Sequence, residues 1–416
     1  MFVQNGLSNF QMPYQPVHQA HGCKVNTMAA ANLELSIFSR LSEAQPDWQQ
    51  LKSVPHSNPY QSPSWLISWF ETIGKSLNCV PVIVVGRRQD EPLFVLPLQL
   101  ERSAGTSTLT FLGHQNGNQN TGLWNADFYR TVTPAEMQDL LSDVCRQIGA
   151  DLLKLENVPD NWQGRGHPLV LECATASPSP VFASALPDEF EQFFNATHSK
   201  SSRKNLLRKE RHLRAAGDYR VVKASDRADK QRGLDAFFEQ RAFRAKAAGI
   251  PNVFSQRPAR TFLSTALGLN ATADTQVQEP NPLDLWFLET DGRIRATYLC
   301  VEHGATLYAY SNSVAHDDML PNSPGLVLIK EIIERACADP RFETLDLGLG
   351  EERYKTGWAE PVLLKDSLLA MSWKGALRLR LEAARLNTKA RLRNSATLWP
   401  LIRRLRKWKA GIGQGG

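Results

Sequence analysis

The sequence predicts an α/β protein of mixed, mostly antiparallel sheets flanked by helices, with one such unit occurring twice. Three observations carry this. Between Leu283 and Ser311, three apolar runs are separated by the turns Asp291-Gly292 and His303-Gly304, the strongest short-range signature of a β-meander. After a polar loop, Asn312 to Ser323, apolar residues at 326, 328, 329, 332, 333 and 336 share one face of a 3.6-residue period, which predicts a helix over 324–338. Ser323 suits its N-cap and Pro324 its first position. A short strand over 344–350, ending in glycines, closes the block. The third observation is that the first half repeats this order. After a helix over 63–73 come strands at 80–86, 92–101 and 107–113, a polar loop at 114–127, a helix at 134–148 and a strand at 151–157. Equal element order without equal sequence is expected of two similar α/β units.

With 416 residues the chain is long enough for two domains. Residues 1–32 are polar and aperiodic, predicting a disordered segment, with Met28 as an alternative start to Met1. The first domain then spans 33–173. A Pro/Ser/Ala-rich stretch, 174–184, reads as a linker. The second domain spans 185–373 and opens with helices over 187–195 and 199–216, the latter stopped by Gly217. The overall charge of +6 is unevenly placed: from Lys374 onward twelve Lys and Arg face the single acid Glu382, a net of +11, so the preceding residues sum to −5. Residues 374–416 therefore form a basic tail. In its last part Leu401, Leu405 and Trp408 share a face ringed by Arg403, Arg404, Arg406, Lys407 and Lys409, the pattern of a helix lying in a membrane interface. Nucleic-acid contact or docking on the domain are its rivals, and nucleic acid is the less expected partner. Six cysteines without a CxxC pair or nearby zinc-spaced histidines read as thiols of a reducing cytoplasm. No metal site is expected. No apolar run reaches membrane-spanning length and no secretory leader is evident. A cytoplasmic protein, peripheral at the inner membrane through its tail, is the expectation.

Several familiar chemistries lack their signatures. Gly74-Lys75-Ser76 resembles the end of a phosphate loop, but Trp69 stands where its first glycine belongs. Gly348-Leu349-Gly350 would need glycine at 353 for a dinucleotide fingerprint, and Arg353 is there. No Gly-x-Ser-x-Gly elbow occurs.

Other residues carry a pattern. Tyr308-Ala309-Tyr310 lies on the third strand of the meander and Ser323-Pro324-Gly325 opens the helix. Asp346-Leu-Gly348-Leu-Gly350 is followed by Tyr354-Lys355 and Trp358. In this order the block resembles the acyl-CoA-binding half of a GNAT-type N-acyltransferase. More narrowly it resembles the CelD-like acetyltransferases of bacterial polysaccharide synthesis, relatives of the Fem aminoacyl transferases. The resemblance implies tandem GNAT-like domains, the second holding the acyl donor and the first shaping the acceptor side. It implies acetyl-CoA or another acyl-CoA as co-substrate. The backbone N–H groups of Gly325, Leu326 and Val327, behind Ser323, could hold its pyrophosphate, although Asn322-Ser-Pro-Gly departs from the usual glycine-rich signature. Lys355 matches a lysine that, in the Fem-like relatives, stabilises the oxygen of the reacting carbonyl. Asp346 could position the attacking amine or hydroxyl or cap a turn, and Tyr310 could protonate the departing thiolate or simply pack.

Arg203, Asn205, Leu206 and Arg208 match a Ser-x-x-x-Arg-x-Asn-Leu-x-Arg pattern of the same relatives. Lys200, Lys204, Arg208 and Arg211 make a basic stripe at helical spacing. The stripe suits the phosphate of a nucleotide- or lipid-linked sugar, or is a solvated face. In the first half Asn118, Asn120 and Trp124 lie on an amide-rich loop, a candidate acceptor contact or a plain turn. The functional expectation is transfer of an acetyl or acyl group to an amino or hydroxyl group of a sugar or envelope-polysaccharide component. The alternatives are aminoacyl-tRNA-dependent transfer and a catalytically silent, membrane-associated scaffold of a polysaccharide synthase.

Overall fold

The computed structural model describes residues 25–26, 33–52, 57–270 and 282–394. The first half contains β1 (Glu34–Phe38), α1 (Gln45–Lys52), α2 (Pro63–Trp69), β2 (Val80–Arg88), β3 (Glu91–Ser103), β4 (Thr106–Phe111), α3 (Ala126–Thr131), α4 (Pro134–Ile148) and β5 (Leu152–Pro159). The remainder contains β6 (Val181–Ala185), α5 (Phe190–Thr197), α6 (Lys200–Ala215), β7 (Tyr219–Lys223), α7 (Arg227–Ala248), α8 (Arg257–Ala266), β8 (Asp284–Thr290), β9 (Arg293–His303), β10 (Thr306–Val314), α9 (Pro324–Cys337), β11 (Thr344–Leu349), β12 (Leu364–Ala370) and α10 (Trp373–Asn394). The tail from residue 395 onward, with the expected interfacial face of Leu401, Leu405 and Trp408, and the N-terminal segment apart from Val25–Asn26 lie outside the described residues. Those two pair with β1 at Leu35 and Glu34.

Each half builds a mixed sheet with one parallel step. In the first sheet β1 to β4 form an antiparallel meander, and α4 carries the chain over to β5, which runs parallel to β4. In the second, β7 to β10 form the meander and α9 carries the chain to β11, parallel to β10. A parallel neighbour needs a crossover, and the amphipathic helices supply it. Both halves therefore share the predicted architecture of tandem, helix-flanked mixed sheets.

The halves exchange their last strands. β6, within what reads as a Pro/Ser/Ala linker, pairs with β11 of the second sheet. β12, expected in the second domain, pairs with β5 of the first, and Thr175–Ala176 adds beyond it. The first unit is thus completed by chain that follows the second. Composition marks a chain crossing here, but pairing partners are set by the sheet edges left open on β5 and β11.

The core between the sheets is shared. Trp48, Trp65, Leu66 and Trp69 from the first half pack in one cluster with Phe237, Phe262, Leu285 and Leu299 from the second. Trp65 meets Phe262 edge-on, 5.1 Å between ring centres. Each such buried side chain contributes about 1.5–3 kcal/mol. The two units are one folding body. Trp65→Ala should cost about 3–5 kcal/mol and lower both halves together in one denaturation transition, followed by near-ultraviolet dichroism and fragment protection. Two separable transitions would contradict a shared core.

Candidate functional site

The site begins where two strands part. β10 and β11 pair only through Thr306–Thr344, Leu307–Leu345 and Tyr308–Asp346. Beyond that point β10 stays bonded to β9 and β11 to β6. Gly348 is the reason. Its φ of +72° turns the backbone, and a Cβ there would lie 2.5 Å from Asn118 Nδ2 of the first half. Only glycine accommodates both. The amide-rich loop thus fills one side of the fork.

Asp346 is at the fork and buried. Its Oδ1 accepts the Gly348 N–H at 2.7 Å, and its Oδ2 accepts a bond from Gln119 Nε2 of the first half. Burial pushes its pKa up to about 6, against the opposing pull of the Gly348 N–H, Lys355 and Gln119. Lys355 is buried too; its ammonium donates to Gly348 O (3.2 Å) and Leu349 O (2.7 Å). Burial lowers its pKa while Glu352 and Asp346 oppose the shift. Lysine and carboxylate lie around one turn of backbone, the lysine holding the end of β11 and not exposed at the surface.

On the other side of the fork a cleft of about 310 Å³ runs from Asn312 and Val314 on β10 to Gly325 and Leu326 at the start of α9, with Glu352 and Tyr354 opposite. The loop before α9 is pinned by buried Arg295, whose Nη1 bonds Asp317 at 2.7 Å and Asp318 at 3.1 Å. Tyr354 shares its hydroxyl with Tyr298 at 2.7 Å and receives Asn312 Nδ2 at 3.4 Å.

The helix start departs from the expected cap. Ser323 is left-handed (φ 48°), and its side chain makes no cap bond. Its Oγ instead receives Lys209 Nζ at 2.7 Å. The N–H groups of Leu326 and Val327, expected to be available, both donate to Ser323 O. Gly325 N–H remains without a protein acceptor among the described residues, two residues after the serine that holds the Lys209 ammonium. Those two groups are what this turn can offer an anion.

Other expected contacts have different work. Asn120 is internal: its side chain bonds Glu156 O and Gln61 Nε2. Trp124 is fully buried against Phe94, Phe128 and Tyr129, its N–H on Thr121 O, so it has no face free to stack on a sugar. Asn118 reaches the fork and donates to Tyr60 Oη at 3.0 Å. Arg203 closes the turn before α6 by donating to His198 O and Asn195 O. Asn205 and Arg208 bond each other on an exposed face of α6, in a groove separate from the cleft. Tyr310 packs against Trp65 and Tyr60, and burial raises its pKa, so it keeps its proton. Tyr354, not Tyr310, lines the cleft.

Sequence reasoning missed Gln119, Lys209 and the role of Tyr354. Tyr354 and Gln119 each adjoin a residue singled out, Lys355 and Asn118. Lys209 sits on the face of α6 away from the stripe of Lys200, Lys204, Arg208 and Arg211. No cluster of potential metal ligands occurs among the described residues.

Residues 200–356 match the family described as the acetyltransferase (GNAT) domain. The match covers somewhat under half of the chain. It spans α6 through Lys355 and so contains the fork, the helix start and the cleft. Among solved structures, a crystal structure of FemX resembles the chain at 12% identity and a TM-score of 0.52, over 78% of this chain and 96% of that one. A conserved protein of unknown function from Bacteroides thetaiotaomicron VPI-5482 does so at 13% identity and 0.50, over 81% and 99%. A tandem GNAT protein from the clavulanic acid biosynthesis pathway aligns at 11% and 0.45, over 82% and 99%. At these identities the likeness to the first two is one of fold. A comparison with curated proteins finds no match.

The buried carboxylate makes a stability prediction. Asp346 has a folded pKa of about 6 against an ordinary 3.8. A raised folded pKa means the native state holds the proton more tightly, so stability falls as pH rises through this window and stays lowered above it. Asp346→Asn has no proton to lose. The variant should therefore gain on the wild type, by up to about 3 kcal/mol between pH 4 and pH 7, in urea denaturation across pH. A difference independent of pH would contradict the shift.

Proposed function

We propose that the protein transfers an acyl group from acyl-CoA to an amine or hydroxyl of a sugar or envelope-polysaccharide component, in the manner of the CelD-like enzymes its sequence resembles. The observation that carries the donor half is the cleft beside the free end of β10, which is lined by Gly325 and by Ser323, the serine that Lys209 bonds. A fork admits a thioester arm between β10 and β11, and the helix start and ammonium suit its pyrophosphate. The cleft's volume suits a slender arm. The sugar acceptor rests on the resemblance and on the amide-bearing loop that the first half brings to the fork.

In this reading the acceptor attacks the thioester carbonyl directly, within a ternary complex. Asp346, ionised at neutral pH with a pKa high enough to accept a proton, takes the acceptor's proton as the new C–N or C–O bond forms. Lys355 places a fixed positive charge beside the fork, favouring the developing oxyanion. As the C–S bond breaks, the thiolate takes its proton from Tyr354, whose phenol burial keeps protonated. Asp346 then loses its proton to solvent and the Tyr354 phenolate regains one from it, so that both groups return to their starting states.

Calorimetric titration with acetyl-CoA tests the donor: micromolar binding, about −8 kcal/mol, is expected. Binding of charged tRNA with no response to any CoA ester would favour the Fem-like alternative, and binding of neither would favour a silent scaffold. Lys209→Ala should weaken acetyl-CoA binding about tenfold while sparing S-acetylpantetheine, which lacks the pyrophosphate. Equal losses for both would contradict the helix-start site.

Turnover tests the chemistry. Asp346→Asn should lower kcat by about 10²- to 10⁴-fold, and wild-type kcat/KM should decline as pH falls below about 6. Lys355→Met should lower kcat by about 10²-fold or more with acetyl-CoA affinity nearly unchanged, its dichroism confirming the fold. Unchanged kcat in either variant would remove that residue from the mechanism.

A further inference from the structure

The helix α10 lies with one side on the first sheet and leaves an apolar stripe on its other side uncovered. Its inner face is fixed to the first sheet. Met371 and Ser372 donate their N–H groups to Asp151 O, and Ser372 Oγ donates to Asp151 Oδ1 at 2.5 Å. Gly375 lies so close that a Cβ would fall 1.9 Å from Asp151 O. This attachment sets which side of the helix faces outward. Along that side Trp373, Leu377 and Leu381 are 73%, 49% and 50% exposed. They recur at i, i+4 and i+8, one continuous stripe on a helix surface. Lys374 and Arg380 stand exposed among them, and Arg378 is engaged with Glu382.

We infer that this stripe is a docking surface for an anionic lipid bilayer. An exposed tryptophan and two leucines in register need an apolar partner, and the cations beside them need an anionic one. A bilayer of anionic lipid supplies both at one surface, the carbonyl and acyl boundary for the stripe and the headgroups for the lysine and arginine. The chain's own charge disfavours the other occupants. Residues 374–394 hold seven Lys and Arg and one acid, and residues 395–416 hold five and none. A second copy of the helix, or the remaining C-terminal chain folded back upon it, would set like charges together. Nucleic acid would satisfy the cations and leave the stripe in water. No helix among the described residues is long and apolar enough to cross a membrane, and the contact inferred for α10 is a peripheral one. The inference does not depend on the acyl-transfer chemistry.

Cosedimentation of the full chain with vesicles of phosphatidylcholine, with and without phosphatidylglycerol, tests it. The wild type should bind the phosphatidylglycerol vesicles and release them at high salt, with little binding to phosphatidylcholine alone. The triple variant Trp373→Ser, Leu377→Ser, Leu381→Ser, at unchanged charge and with all three positions exposed, should lose at least about tenfold in partitioning. It should melt as the wild type does. The same substitutions at Leu401, Leu405 and Trp408 separate a contribution of the tail. If the 373/377/381 variant sediments as the wild type does, or the wild type ignores the anionic vesicles, the surface is not a bilayer contact. Wild-type dimers that the triple variant turns into monomers, without vesicle binding, would assign the stripe to a second copy instead.

Discussion

The fork between β10 and β11 is the constraint on which the rest of the site depends. A parallel pair that continued past Tyr308 and Asp346 would close the sheet and leave no room for a substrate arm. Gly348, in a backbone conformation other residues resist, turns the strand away. Asn118 then occupies the space a side chain would need. The second unit is therefore shaped by the first. The carboxylate at the fork takes one hydrogen bond from its own strand and another from Gln119 across the boundary, while the aromatic core beneath it draws on both sheets. Separating the halves would expose that core and leave Asp346 with half its partners.

The fork also holds two buried ionisable groups. Burying a carboxylate and an ammonium costs more than their mutual attraction returns unless their remaining valences are filled. Here Lys355 is engaged by two backbone carbonyls, and Asp346 by a backbone N–H and an amide. The compensation is incomplete for Asp346, whose pKa rises to about 6. That residual cost is of the kind a reactive site retains, since a carboxylate fully satisfied at low pKa is a poor base. Lys355 acts on structure as well as charge, because its two acceptors are the carbonyls that end β11.

Much of this was legible in the sequence for identifiable reasons. The meander and α9 follow from turn glycines and a clear helical period, and the fork residues Asp346, Gly348 and Lys355 stand at fixed spacing after a short strand. The strand exchange was not legible. Val181–Ala185 has only five residues within a Pro- and Ser-rich stretch, and its partner is chosen by an open sheet edge 160 residues away in sequence. Trp124 and Asn120 misled because amides and aromatics serve a sugar site and a buried loop equally well, and only packing distinguishes them. Lys209 was hidden by the more conspicuous stripe on the exposed face of α6. The helix α7 has no clear apolar period, and α8, though amphipathic, is only ten residues long, yet both cover the shared core.

The central claim is that the fork and the helix start take the acyl donor while the first-half loop guards the other side. Hydrogen exchange by mass spectrometry, with and without a non-hydrolysable acetyl-CoA analogue, tests it most directly. The account predicts slowed exchange in peptides covering 309–314, 323–328 and 348–356, with a smaller effect at 114–122 and none along the outer face of α6. Protection confined to α6, or spread with no focus at the forked strands, would contradict it.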